Sequence, residues 1–311
     1  MILVVKLTKE IFAYKIIKTN NPKEEYIIPF GIDEFIKKME EIEEGSKDKV
    51  SEFFELAKEV YNGVSYIKNN GYDYDYLKSN YPNFVNTASY SVDEVFKKLK
   101  LPKKVEDIIK SYWIYFGVSS INMNFAQYIY FFYQYINMKG YVPKNRSQEI
   151  SNAIENKIIG YGGKIYYNET VNKILVENNE VCGVTTKKGN MYKSKHVIVN
   201  SSPLNVYSTM LDNVPSFALK LTNSRKLGAK AITVYLGLNK SANDLGIKNY
   251  MYLVYNDLDS NVESEKMKSI DSNTIIVTCL NNAVSDASIE GTSILTITAL
   301  YFDNPFDKVL N

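Results

Sequence analysis

Gly160, Gly162 and Gly163 are the closest this sequence comes to a phosphate cradle. A dinucleotide-binding turn needs G-x-G-x-x-G after a strand and before a helix, so that the backbone can approach a pyrophosphate at the helix N-terminus. Here the third required position is Ile165, and the order is reversed: a helical pattern precedes the glycines and a β-rich segment follows. The group therefore reads as a helix cap and turn, where glycine tolerates a left-handed backbone. No Walker loop, H-E-x-x-H or G-x-S-x-G string occurs. The single histidine, His196, has the chemistry of a proton shuttle, but it enters an apolar VIVN segment without a sequence neighbour to work with and reads as structural. One histidine and two distant cysteines, Cys182 and Cys279, fit neither a multi-histidine metal site nor a disulfide framework, and no metal is expected. The sequence nominates no catalytic acid or base, and the catalytic residues are unknown from it.

The remaining chemistry is that of surfaces. Lys97, Lys98, Lys100, Lys103 and Lys104 flank Leu99, Leu101, Val105 and Ile108. That pattern fits a solvated helix face, and it also fits an amphipathic helix resting on anionic lipid, a peripheral membrane contact. The formal net charge is only +2, so no broad field exists to recruit nucleic acid. MILVV at the start is too short for a secretory or membrane-spanning segment, which makes a reducing cytoplasm the default. The glycosylation-type sequons at Asn145, Asn168 and Asn200 then carry no weight. There are 26 Tyr and 14 Phe but one Trp, the mix an A+T-rich coding sequence yields, and these rings must pack somewhere.

The elements that must carry these residues are legible from period and punctuation. Residues 1–30 read as short strands, with EEYIIPF the clearest and Pro29 at its end. From Ile32 the period becomes helical: Ile32, Phe35, Ile36 and Met39 share a face and Gly45 supplies a stop. A second helix follows through Val50, Phe53, Phe54, Ala57 and Val60, and two shorter ones are split by Pro102, the first with Ser91 and Glu94 spaced as a capping box. Residues 112–135 hold a run of aromatics in which Phe125, Tyr128, Ile129, Phe132 and Tyr133 fall at helical spacing. A helix apolar nearly all round is either buried or touches something apolar outside the protein. Another helix runs to about Ile159. Three β-rich segments then follow, punctuated by Gly-Gly, Asn-Asn and Lys-Gly and closing on a strand at residues 197–200. Ser201 or Ser202 starts a helix with Pro203 in its first turn. Strands are expected at 230–238, 250–255, 273–280 and 292–301, within one sheet.

Residues 140–240 carry a resemblance. Gly162 and Gly163, Val171 and Ile174, Gly183 and Val184, Gly189, and the run from Val197 to Asn200 occur in the order seen in the FAD-dependent phytoene desaturase, carotenoid isomerase and retinol saturase family, within the flavin amine oxidase superfamily. ITVYLGLN resembles that family's next strand, which opens its substrate-domain sheet. The resemblance implies a mixed α/β (α+β) fold: an incomplete FAD/NAD(P)-binding Rossmann-like domain, a β-sheet substrate domain and a helical cap. Residues 1–30 would add strands to the substrate domain, 31–139 would cap a long apolar tunnel, 140–204 would form the partial FAD-binding domain, and 205–311 the substrate-domain sheet. The backbone of Val171 would meet the FAD adenine, and Asn200 and Ser201 would lie where the chain leaves the flavin for the substrate domain.

The family's N-terminal G-x-G-x-x-G and its C-terminal Gly-rich flavin segment have no counterpart here, and Lys144, Asn145 and Arg146 stand where a P-x-G-G turn is usual. The resemblance therefore implies a fragment, or the product of a split gene, that alone binds FAD weakly and is inactive alone. The expected activity of the whole is FAD-dependent desaturation, isomerisation or saturation of a long apolar isoprenoid, with the missing flavin-binding segments supplied by a partner. Two alternatives stand beside it: a non-enzymatic module that binds apolar ligands or membrane surfaces, and a degenerate paralogue that partners a full-length flavoprotein.

Overall fold

Strands β1 (Leu7–Lys9), β2 (Tyr14–Lys18) and β3 (Glu24–Ile28) open the chain, β2 and β3 as an antiparallel pair with Tyr14 opposite Ile28. Pro29 lies just past β3, as its missing N–H requires. The computed structural model describes residues 7–9, 13–20, 23–224, 228–269 and 274–302. Its described chain forms two units, residues 151–224 and the remainder.

In the larger unit Gly31 (φ 95°) turns the chain into α1 (Ile32–Ile42), which buries Phe35 and Met39. The long α2 (Lys47–Asn70) buries Val50, Phe53, Phe54, Ala57 and Val60, the face its sequence marks. Two short helices absent from the sequence expectation follow. α3 (Tyr74–Asn80) is started by the Asp73 carboxylate, which accepts from the Tyr76 N–H; α4 (Pro82–Thr87) begins on a proline. Gly63 of α2 is where α4 lies closest, since a Cβ there would sit 2.5 Å from the Phe84 ring. α5 (Val92–Leu99) carries the Ser91–Glu94 capping box complete, and α6 (Lys103–Lys110) follows Pro102. After a 3-10 turn at Ser111–Tyr115 the aromatic helix forms as α7 (Phe125–Met138), capped by Asn124. β4 (Tyr141–Pro143) pairs with β1.

The smaller unit holds α8 (Gln148–Gly160), most of which lies within it, and the antiparallel meander β5 (Val171–Glu177), β6 (Glu180–Thr186) and β7 (Met191–Lys193). Asn178 and Asn179, at φ 52° and 64°, make the two-residue hairpin turn that favours positive φ at both positions. Gly183 is where β7 crowds β6: a Cβ would lie 2.3 Å from the Tyr192 carbonyl oxygen. The closing strand expected at 197–200 does not form. Val197 to Asn200 is irregular and Ile198 is 99% exposed, because a strand is stabilised by its ladder and no neighbour pairs with this segment among the described residues. α9 (Pro203–Asn205), with Ser202 preceding Pro203, passes into a π-helical turn at Val206–Met210, and α10 (Ser216–Asn223) completes the unit.

Returning to the larger unit, the chain adds β8 (Lys230–Leu238), β9 (Met251–Tyr255), α11 (Ser260–Lys266), β10 (Ile275–Cys279) and β11 (Ser293–Tyr301). The four strands share one sheet, as their sequences imply, and β2 and β3 extend it to the six-strand order β3-β2-β9-β10-β11-β8. Only the β2–β9 pairing is parallel. Register places Tyr14, Ile16, Ile28, Leu253 and Tyr255 on one face, and all five are buried in one apolar cluster with α1, α2 and α5–α7.

Candidate functional site

The other face of the six-stranded sheet is the chemically distinctive surface. Register aligns Val254, Ile275, Ala299 and Ile232 across four strands, then Tyr252, Val277, Ile297 and Val234, with Leu295 and Leu236 continuing the stripe. None of these side chains is buried; Ile232 and Val234 are 43% and 48% exposed. Charge enters only at the margins, where Lys15 and Glu25 pair at 2.6 Å across β2 and β3, and where Lys230 begins β8. Such a face can hold an elongated apolar ligand by burial alone, at roughly 25 cal/mol per Å² covered. The stripe carries no carboxylate, amine or imidazole, and its one hydroxyl, that of Tyr252, accepts from the Lys248 and Asn249 N–H groups at 3.0 Å.

The opposite face explains α7. Phe125, Tyr128, Ile129, Phe132 and Tyr133 are buried, so of the two readings of the aromatic helix the packed core is the one realised. Phe132 meets Phe35, Phe53, Tyr112 and Tyr128 at centroid distances of 5.8–6.2 Å. The Tyr128 and Tyr255 hydroxyls donate to the Ile109 and Ser111 carbonyl oxygens, and burial pushes both phenols far above their ordinary range. A groove of about 980 Å³ on this region is lined by residues that include Asp48, Glu52, Glu55, Leu56 and Lys58 of α2 and Leu99. Lys97, Lys98, Lys100, Lys103 and Lys104 lie on or beside α5 and α6, with Lys103 paired to Asp107 at 2.6 Å and Lys98 over the Tyr90 ring.

In the smaller unit, Val171 begins β5, an outer strand of the meander. The Lys187 N–H donates to the Thr170 carbonyl oxygen at 2.8 Å. Thr170 and Lys187 thus form a hydrogen-bonded pair, and Val171 with Thr186 is the next, non-hydrogen-bonded pair. The Val171 N–H and C=O therefore point away from β6, to the strand's free side. This is the donor–acceptor pair that an adenine edge requires, so the residues present fit the adenine end of FAD. Beside it, Glu169 is held below the usual carboxylate range by the Thr186 hydroxyl, Asn190 and Lys188. Asn200 and Ser201 are exposed in the irregular stretch before α9, and no hydrogen bond places them on a common site with Val171. His196 is exposed in the same stretch, bound through its backbone to the Ser194 hydroxyl. Nothing among the described residues fits a pyrophosphate: the 160–163 turn caps α8, with the Gly163 N–H donating to the Ile158 carbonyl oxygen. No described group of three His, Cys, Asp or Glu could hold a metal ion. No described helix is long and apolar enough to cross a membrane.

No protein-family model matches the chain. Among curated proteins it is 22% identical over 277 residues to an all-trans-retinol 13,14-reductase of Macaca fascicularis, covering 83% of this chain and 45% of that protein. The corresponding enzyme of Danio rerio is 22% identical over 262 residues, covering 76% of this chain and 42% of the other. The fold is shared with an oxidoreductase from Methanosarcina mazei (TM-score 0.66, 14% identity, 99% of this chain and 64% of that one). It is also shared with a redesigned putrescine oxidase (TM-score 0.59, 11% identity, 99% and 62%). The chain is thus similar in sequence to retinol 13,14-reductases and shares its fold with these solved oxidoreductases. It spans less than half the length of the curated relatives it matches. The mixed α/β architecture expected from the sequence is the one observed.

Proposed function

We propose that this chain supplies the substrate-binding sheet and the adenine-side strands of a flavin-dependent oxidoreductase that saturates, desaturates or isomerises a long apolar isoprenoid. The observation that carries the reading is the open apolar face, continuous over β9, β10, β11 and β8 and free of charge along its stripe. Bound FAD would supply hydride transfer. This chain's own part is to hold the substrate and exclude water, and to offer the Val171 N–H and C=O to the adenine. Asn200 and Ser201 would lie where the chain leaves the flavin. A polypeptide carrying phosphate-binding turns would complete the cofactor site. The lysines at 97–104 would bring the assembly to anionic lipid, from which such substrates are drawn.

Titration with all-trans-retinol, followed by its fluorescence, tests the substrate face. Saturable binding is expected. Val277→Thr with Ile297→Thr, which keep β-branched side chains, should weaken it about five-fold through lost apolar contact. Binding unchanged in the double variant would remove the face from the proposal. Separately, Val171→Pro deletes an N–H that makes no ladder bond. It should leave the meander intact and weaken FAD binding by about 1 kcal/mol.

A further inference from the structure

The two edges of the six-stranded sheet are built differently, and the difference identifies a surface. The β3 edge is short, five residues, carries Glu24 and Glu25, and is followed by Pro29. Those are the devices by which edge strands avoid adding further strands. The β8 edge has one of them only at its first residue, Lys230. It runs nine residues, pairs with β11 through nine consecutive partners without a bulge, and bears no charge from Ala231 to Leu238. Among the described residues β8 pairs only with β11, and Tyr235 is 76% exposed. At about 3.4 Å per residue this is a bare ladder edge of about 30 Å.

We infer that β8 is a homodimer edge, pairing antiparallel with β8 of a second copy of this chain. Its sequence is self-complementary in that arrangement. In a continuous sheet, directly opposed residues share a face, so a two-fold axis must pass through a residue. An axis through Val234 is the choice that engages all nine positions. It sets Ile232 against Leu236 and Val234 against itself on the open face, and Thr233 against Tyr235 and Ala231 against Gly237 on the other. Lys230 falls opposite Leu238, so no like charges meet. The pairing would also carry the apolar stripe of β11 and β8 unbroken into the second copy. It stands without the flavin reading, because it rests on backbone pairing and strand composition alone.

Sedimentation equilibrium of the full chain over a range of concentrations tests the inference. A dimer that dissociates on dilution is expected. Val234→Lys and Val234→Glu each place like charges opposite one another at the two-fold axis, and each should weaken the dimer about ten-fold. A one-to-one mixture of the two variants should restore it. Ile297→Thr, one strand in from the edge on the same face, should leave it unchanged. A chain that is monomeric throughout overturns the inference. So does a dimer indifferent to both charge variants, or a mixture that fails to recover. A dimer weakened by Ile297→Thr belongs to the open face and overturns it too.

Discussion

The larger unit and the segment from 151 to 224 follow the same local rules and end in opposite states. Behind the six-stranded sheet, Phe35, Met39, Phe53, Phe96, Phe125 and Phe132 are all fully buried. In the smaller unit only Ile174 and Val206 are buried hydrophobics among the described residues. Its helices are patterned no less clearly, yet Ile154, Ile158 and Ile159 of α8 and Phe217, Leu219 and Leu221 of α10 remain exposed. Secondary structure forms from local sequence, whereas a core needs a second layer to close on it. The larger unit has that layer on one face of its sheet. The smaller unit has its strands and turns without one.

The largest expected effect tests whether stability resides where the core does. Phe132→Ala removes a ring that touches Phe35, Phe53, Tyr112 and Tyr128. It should cost about 3–5 kcal/mol in urea unfolding followed by aromatic circular dichroism. A cost below 1 kcal/mol would mean the aromatic cluster is loosely packed and the contrast between the units is false.

A polar anchor of the same unit should come next. The buried Glu263 carboxylate accepts from the Asn256 and Asp257 N–H groups at 3.3 and 3.1 Å, from the Thr274 hydroxyl, and from Lys266 at 2.9 Å. It ties α11 to the β9 exit and to the approach to β10. Glu263→Gln offers an oxygen and a donor where four donors converge, which should cost about 1–3 kcal/mol, measured by the same unfolding.

How much of this the sequence disclosed depended on range. α1, α2, the Ser91–Glu94 box and the Asn178–Asn179 turn are written in residues three or four apart or adjacent, and all formed as read. α3 and α4 were missed because their signals, Asp73 and Pro82, sit in a tyrosine- and asparagine-rich run that also reads as loop. The parallel docking of β2 on β9 joins residues more than two hundred positions apart, and no local period records that. Glu263 was invisible for the same reason: two of its donors are backbone groups placed by the turn after β9, and a third is the Thr274 hydroxyl at the approach to β10. The strand expected at 197–200 failed in the reverse direction, since its residues are right and its ladder is not among the described residues.

Ser91→Ala removes the hydroxyl that accepts from the Glu94 N–H and should cost about 1 kcal/mol. Near it, burial raises the Asp93 pKa, but hydrogen bonds from Lys110, Ser120 and Asn261 prevail and hold it below the usual range. A carboxylate depressed on folding stabilises the native state above its unfolded pKa, about 3.9, and that contribution is lost as pH falls through the folded value. Acidification from pH 5 to pH 2.5 should therefore lower the unfolding midpoint more in the wild type than in Asp93→Asn. Equal slopes would show that Asp93 titrates alike in both states.

The smallest expected effect is the most informative about the segment from 151 to 224. Ile158 is 40% exposed on α8, a helix with no buried residue. In a chain where that helix carries no load, Ile158→Ser should change stability by no more than about 0.5 kcal/mol, the range for surface positions. The same substitution should become costly once a second layer covers α8, because an apolar side chain gains its free energy only when water is removed from it. Unfolding of the variant alone, and again in the presence of a polypeptide carrying the flavin-phosphate turns, separates the two conditions. An effect that is small alone and large in the complex would show that the exposed pattern is a surface awaiting cover. A cost above 1 kcal/mol in the chain alone would show that the segment already has a core, and would erase the distinction between the two units.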